Sequence, residues 1–141
     1  MIRGFVTLFG PTGTGKTGFA CALADRLRCH LVSCDALQVY RGLNAATAKP
    51  RGAEARHPWA LVDIAEPSRD FNLADWVRAA EGEIDWAWRA GRIPIVTGGT
   101  GLYVRGLAKG LAPAPPRDAA LRERLLSRAE ERGAPYLHRL L

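Results

Sequence analysis

The chain has 141 residues, 48% hydrophobic and 24% charged, with a formal net charge of +6. That length carries one α/β domain with a proper core and excludes two ordinary domains, while no apolar run approaches a membrane span. Cys21, Cys29 and Cys34 are odd in number and lack a paired C-x-x-C spacing, which argues against a disulfide framework and a zinc site.

In chain order, the first predicted element is a short apolar strand, Phe5-Val6-Thr7-Leu8-Phe9. Nothing before it reads as a signal peptide, so a reducing cytoplasm is the expected location. It runs into Gly10-Pro11-Thr12-Gly13-Thr14-Gly15-Lys16-Thr17, which matches the phosphate-loop pattern G-x-x-x-x-G-K-[ST]. Phe19, Ala20, Leu23, Ala24 and Leu27 then recur at helical spacing, so the motif sits between a strand and a helix. Glycines at 10, 13 and 15 let successive backbone N–H groups point into one concavity, reinforced by the positive end of the helix. Such a nest suits a di- or triphosphate, with Lys16 as a point charge on its oxygens and the Thr17 hydroxyl as a ligand for magnesium.

Leu31-Val32-Ser33-Cys34-Asp35 reads as a second buried strand ending in a carboxylate, and parallel α/β sheets place ligand sites at such ends. Asp35 is therefore a site candidate; the alternative is an Asp that only caps the turn or helix begun by Ala36-Leu37-Gln38-Val39-Tyr40. Helical spacing puts Asp35 and Gln38 on one face, where a carboxylate and an amide could meet adenine. Residues 41–52 read as an ordered loop in which Lys49 and Arg51, taken alone, are surface charges. Trp59-Ala60-Leu61-Val62-Asp63-Ile64 is predicted as a short strand ended by Glu66-Pro67.

A long helix follows over residues 73–90, with Trp76, Val77, Ala80, Ile84 and Trp88 on one stripe, Asp70 or Asn72 as its cap and Gly91 at its end. Its tryptophans read as core. His57 and His138 are isolated and are not expected to bind metal. Ile93-Pro94-Ile95-Val96-Thr97 is a further strand leading into Gly98-Gly99-Thr100-Gly101. If both strands are parallel, this second glycine-rich turn brings Thr100 towards the phosphate nest; otherwise its glycines only tighten a turn. Pro113-Ala114-Pro115-Pro116 forms a stiff connector before an arginine-rich helix over 118–132, which Gly133-Ala134-Pro135 breaks. Tyr136 to Leu141 begin another apolar-periodic turn and stop without a cap, the pattern of a chain cut short.

These blocks together resemble the N-terminal part of the tRNA dimethylallyltransferases, or tRNA isopentenyltransferases, which prenylate the adenine 3′ to the anticodon. The resemblance rests on the phosphate loop, Ser33-Cys34-Asp35, Gln38-Val39-Tyr40-Arg41-Gly42, Thr47-Ala48-Lys49-Pro50 and His57, followed by Leu61-Val62-Asp63-Ile64, Gly91-Arg92-Ile93-Pro94, Gly98-Gly99-Thr100-Gly101-Leu102-Tyr103 and Leu137-His138. It spans essentially the whole chain. Ala36 stands where members usually have Ser, and Asn44-Ala45-Ala46 where they have Asp-Ile-Gly. The family continues beyond this length, with a helical insertion that grips the anticodon arm and a later arginine near the reaction centre.

The resemblance implies a P-loop nucleoside-triphosphate-hydrolase-like α/β core over residues 1–141, truncated relative to the family. It further implies dimethylallyl diphosphate and tRNA as substrates, magnesium as cofactor, and a monomer away from any membrane. Asp35 becomes the base at N6, Lys16 and the loop meet the leaving diphosphate, and Thr100 lies where the substrates converge. Asp35, Ala36, Leu37, Gln38, Thr100 and Arg122 are the positions implied to contact tRNA. Two competing readings share the strand–loop–helix unit: a small-molecule or nucleotide kinase, with Arg117, Arg122 and Arg124 over the transferred phosphate, and a catalytically silent diphosphate- or RNA-binding module.

Overall fold

The computed structural model describes residues 4–45, 47–111 and 118–140. Ala46, Arg117 and the predicted connector at 113–116 lie outside the described residues. Strands β1 (Val6–Phe9), β2 (Cys29–Cys34), β3 (Trp59–Ala60) and β4 (Ile93–Gly98) form a sheet in the order β1-β4-β2-β3, with every neighbouring pair parallel. The expected parallel sheet is therefore present, and the strands' carboxyl ends share one edge. Helices α1 (Lys16–Ala24), α2 (Leu73–Arg89) and α3 (Gly101–Lys109) flank it.

Register explains the layering. Leu31 pairs with Ile95 and Val32 with Val96, so neighbouring residues project to opposite faces. Leu31 and Ile95 pack with Ala20 and Cys21 of α1. Val32 and Val96 pack with Trp76, Val77, Ala80 and Ile84 of α2 and with Tyr103 and Leu107 of α3. Trp76 is fully buried, stacks on Tyr103 at 4.8 Å, and donates its indole N–H to the Ser33 carbonyl, 3.2 Å away. A buried indole that finds such an acceptor carries no unsatisfied donor into the core.

Several predicted elements differ in detail. The Asn72 side chain accepts from the Ala74 and Asp75 N–H groups while Asp75 accepts from Asn72 N–H, so a capping box selects Asn72 over Asp70 as the cap of α2. The buried stripe of α2 ends on Ala87, and Trp88 is 41% exposed, donating its indole N–H to the Gly4 carbonyl. Phe19 of the predicted α1 stripe is exposed, because α1 buries only its small residues Ala20 and Cys21 against the sheet. The predicted strand at 59–64 stops at Ala60. Leu61 and Asp63 have φ of 61° and 56°, left-handed values that no strand accommodates, and residues 63–65 bond instead to the Gln38 and Val39 carbonyls. His57 is not isolated: with Arg56 it pairs to Asp25, tying the 3-10 turn Gly52–Arg56 to the end of α1 and holding the Asp25 carboxyl below its ordinary range.

A second compact unit lies within Ala112–Leu141. It contains α4 (Ala119–Arg132), capped by the Asp118 carboxylate accepting from Leu121 N–H, and α5 (Ala134–His138), with Gly133 between them at φ 80°. Arg122 is exposed on α4. Among the described residues, no helix is long and apolar enough to cross a membrane.

Candidate functional site

The phosphate loop joins β1 to α1 at the carboxyl edge of the sheet. Gly13 and Gly15 take φ of 85° and 81°, the left-handed conformation that curls the loop, and no side chain caps the start of α1. Its first N–H groups therefore face the concavity, where the helix dipole favours an anion. The Lys16 ammonium crosses the loop to the Pro11 carbonyl at 2.5 Å and the Thr14 hydroxyl at 3.3 Å, which sets its charge at the mouth of the nest. Gly10, Pro11, Thr12, Gly13 and Thr14 are exposed or at the rim, while Lys16 and Thr17 are half-buried.

The second glycine-rich turn lies beside the first, as parallel strands require. Phe9 pairs with Gly98, and a Cβ on Gly99 would stand 3.4 Å from the Gly10 carbonyl oxygen. Thr100 accepts from Ala36 N–H at 3.3 Å, so it ties this turn to the segment after β2. Asp35 is the first residue beyond β2. Its Oδ1 accepts from the Leu37 N–H (2.8 Å) and the Gln38 N–H (3.2 Å), organising a turn and not the helix that the sequence also allowed. One oxygen thus shapes the turn, while Oδ2 makes no hydrogen bond among the described residues. Leu37 is about half exposed and Ala36 half-buried on the same turn.

A cleft of about 350 Å³ collects these parts. Lys16, Thr17, Asp35, Gln38, Thr97 and Gly98 all line it, together with Glu54 and Trp59. Thr100 follows the lining residue Gly99 and is not itself among the residues that line the cleft, and Arg122 belongs to the other unit. The Gln38 amide is engaged within the protein: its Oε1 accepts from the Ser33 hydroxyl (2.7 Å), and its Nε2 donates to the Thr47 and Ala48 carbonyls (3.0 and 3.1 Å). The amide fastens Thr47 and Ala48 to the end of β2. Under the cleft, burial pushes the Cys34 thiol up to about 12, with the neighbouring Asp35 charge adding to it, so this cysteine stays protonated and is no nucleophile.

Lys49 corrects the sequence reading of a surface charge. Its side chain is 5% exposed and its ammonium donates to Asp63 Oδ1 and the Tyr40 carbonyl, both at 2.6 Å, and to Asn44 Oδ1 at 3.3 Å. Three acceptors are what a buried ammonium needs. The left-handed φ values at Ala48, Leu61 and Asp63 cluster around it, so this pair enforces the local backbone. Lys49→Met is expected to cost about 2–3 kcal/mol, below the range for a fully buried pair because Asp63 is half-exposed. Urea unfolding measures this, and a loss under about 0.5 kcal/mol, usual for a surface charge, would contradict the clamp.

The donor set of the cleft fits magnesium in a limited way. The Thr17 and Thr97 hydroxyls and the Asp35 carboxylate are hard oxygen donors, and no cluster of three His, Cys, Asp or Glu forms a metal cage among the described residues. A magnesium ion held by one or two protein oxygens and the oxygens of a phosphate ligand matches that inventory. Thr97, Glu54 and Trp59 escaped the sequence reading. For Thr97 one signal was present, a hydroxyl closing an otherwise apolar strand just before a Gly-Gly turn.

Two family models cover the chain: IPP transferase matches residues 38–141 and Isopentenyl transferase matches residues 4–57. A tRNA dimethylallyltransferase of Anaeromyxobacter sp. (strain Fw109-5) is 48% identical over 134 residues, covering 94% of this chain and 45% of the relative. Its counterpart in Koribacter versatilis is 44% identical over 135 residues, covering 95% of this chain and 44% of the relative. The crystal structure of the full-length tRNA isopentenylpyrophosphate transferase from Bacillus halodurans superposes with a TM-score of 0.75 at 37% identity, over 95% of this chain and 45% of that one. The chain thus spans about half the length of the relatives it matches.

Proposed function

We propose a function from one premise: the chain belongs to the IPP transferase family. On our reading it carries the diphosphate-binding and proton-accepting half of a tRNA prenyltransferase, which moves a dimethylallyl group from dimethylallyl diphosphate to N6 of the adenine 3′ to the anticodon. The observation that supports this best is the convergence of Lys16, Thr17 and Asp35 on one cleft at the carboxyl edge of a parallel sheet. The family match favours this reading over a kinase that uses the same loop.

The adenine amine is a weak nucleophile because its lone pair is delocalised into the ring. Attack on the allylic carbon therefore needs a base for the N6 proton and a stabilised leaving group. Asp35 Oδ2 takes the proton as the N6–carbon bond forms, while Oδ1 stays bound to the turn and fixes the carboxylate. The carbon–oxygen bond breaks towards the loop, where backbone N–H groups and Lys16 meet the charge growing on the diphosphate. Magnesium, held by Thr17, would neutralise part of that charge. Thr100 contributes by holding Ala36 and hence the Asp35 turn. The adenine must leave its stack to reach this edge, as enzymes acting on a base require. Beyond the phosphate site, tRNA contact is proposed for the turn at Ala36–Leu37 and for Arg122; a monomeric state in the cytoplasm fits these roles.

Titration with dimethylallyl diphosphate tests the loop. Lys16→Ala is expected to weaken binding at least about tenfold, the scale of a charge-assisted contact. An unchanged affinity would remove the loop from the reaction, and tight ATP binding with phosphate transfer to a small acceptor would favour the kinase.

A further inference from the structure

We propose that the Thr97 hydroxyl is a direct contact for the diphosphate, donating its proton to a phosphate oxygen from the floor of the cleft. This inference rests on the diphosphate reading of the cleft given above. Thr97 is 6% exposed, and its Oγ1 is a buried side-chain oxygen with no hydrogen-bond partner among the described residues. Leaving a hydroxyl unpaired in a buried position is destabilising, so such an atom calls for an explanation outside the protein's own bonds.

Its location supplies that explanation. In β4, Ile95 packs on the α1 side, and Thr97, two residues on, projects to the same face one step nearer the carboxyl edge. Register sets Ser33 beside Thr97 on one flank and Leu8 on the other. Ser33 spends its hydroxyl on Gln38, 2.7 Å away, and Leu8 has none to offer. Thr97 therefore holds the uncommitted hydroxyl of this rung, and it lines the same cleft as Lys16 and Thr17. A hydroxyl donor at the floor complements the loop N–H groups and the Lys16 ammonium, which approach an anion from the rim. Hydrogen bonds to a charged acceptor are stronger than neutral ones and become stronger still away from water.

Calorimetric titration of inorganic pyrophosphate with magnesium tests this on the whole chain, using Thr97→Val, Thr97→Ser and Lys16→Ala. Thr97→Val is expected to bind about tenfold more weakly, the lower end for a bond to a charged group. Its thermal midpoint should stay level or rise, since valine keeps the shape and removes an unpaired hydroxyl. Thr97→Ser, which keeps the donor, should bind within about threefold of the parent. Wild-type affinity in Thr97→Val, with binding lost in Lys16→Ala, would overturn this contact and leave the diphosphate site standing. Equal losses in the valine and serine variants would overturn it in favour of a packing role. Failure of the parent chain to bind pyrophosphate would remove both the site and this contact.

Discussion

Asp35→Asn is expected to slow prenyl transfer to tRNA by about 10²–10⁴-fold, the range for loss of a positioned general base. Asparagine keeps an oxygen where Oδ1 accepts from the Leu37 and Gln38 N–H groups, so the turn after β2 should survive. What it lacks is an oxygen able to take the N6 proton. Pyrophosphate affinity should therefore stay within about twofold, since the loop and Lys16 are untouched and hydrogen bonds of the turn are retained. The measurement is single-turnover transfer of a labelled dimethylallyl group, made in the enzyme extended to its relatives' length because this chain spans 45% of the Anaeromyxobacter relative. A rate within tenfold of the parent, with diphosphate binding intact, would assign the proton to another group. A matching fall in pyrophosphate affinity would instead make Asp35 part of the anion site.

The phosphate loop and the second glycine turn were legible because their chemistry is local. Eight residues with four defined positions make a nest, and two apolar runs feeding glycine-rich turns imply one shared sheet edge once the strands are parallel. Lys49 was illegible for the opposite reason. Its burial depends on Asp63, fourteen residues on, reached only because Leu61 and Asp63 leave the strand for left-handed backbone. That excursion also ended β3 two residues in, where an apolar run gave no hint of it. Gln38 lines the cleft with Asp35, yet spacing could not show that Ser33, Thr47 and Ala48 already occupy its amide. The stripe of α2 failed at its last turn, where Trp88 finds the Gly4 carbonyl outside the core. Long-range partners decided each of these cases.

Gly98→Ala tests the one place where the sheet and the site depend on the same missing atom. A Cβ there would stand 2.0 Å from the Cys34 carbonyl oxygen and 2.5 Å from its carbon, far inside contact distance. Both are backbone atoms of β2, so no side chain can swing aside; β2 and β4 must separate at the Cys34–Gly98 rung. The expected loss is at least about 3 kcal/mol, at or beyond the top of the usual overpacking range. Cys34 leads directly into Asp35, and Gly99 lies against the Gly10 carbonyl, so separation would also carry the carboxylate away from the loop. Gly99→Ala is the control: its Cβ meets that carbonyl at 3.4 Å, an ordinary contact, and should cost under about 1 kcal/mol. Urea midpoints for the two variants decide the matter. If Gly98→Ala unfolds no more readily than Gly99→Ala, the close approach of β4 to β2 is not what holds the two halves of the cleft together. If it does, any Gly98→Ala molecules that remain folded should also bind pyrophosphate more weakly than the Gly99→Ala control, because the same displacement widens the cleft.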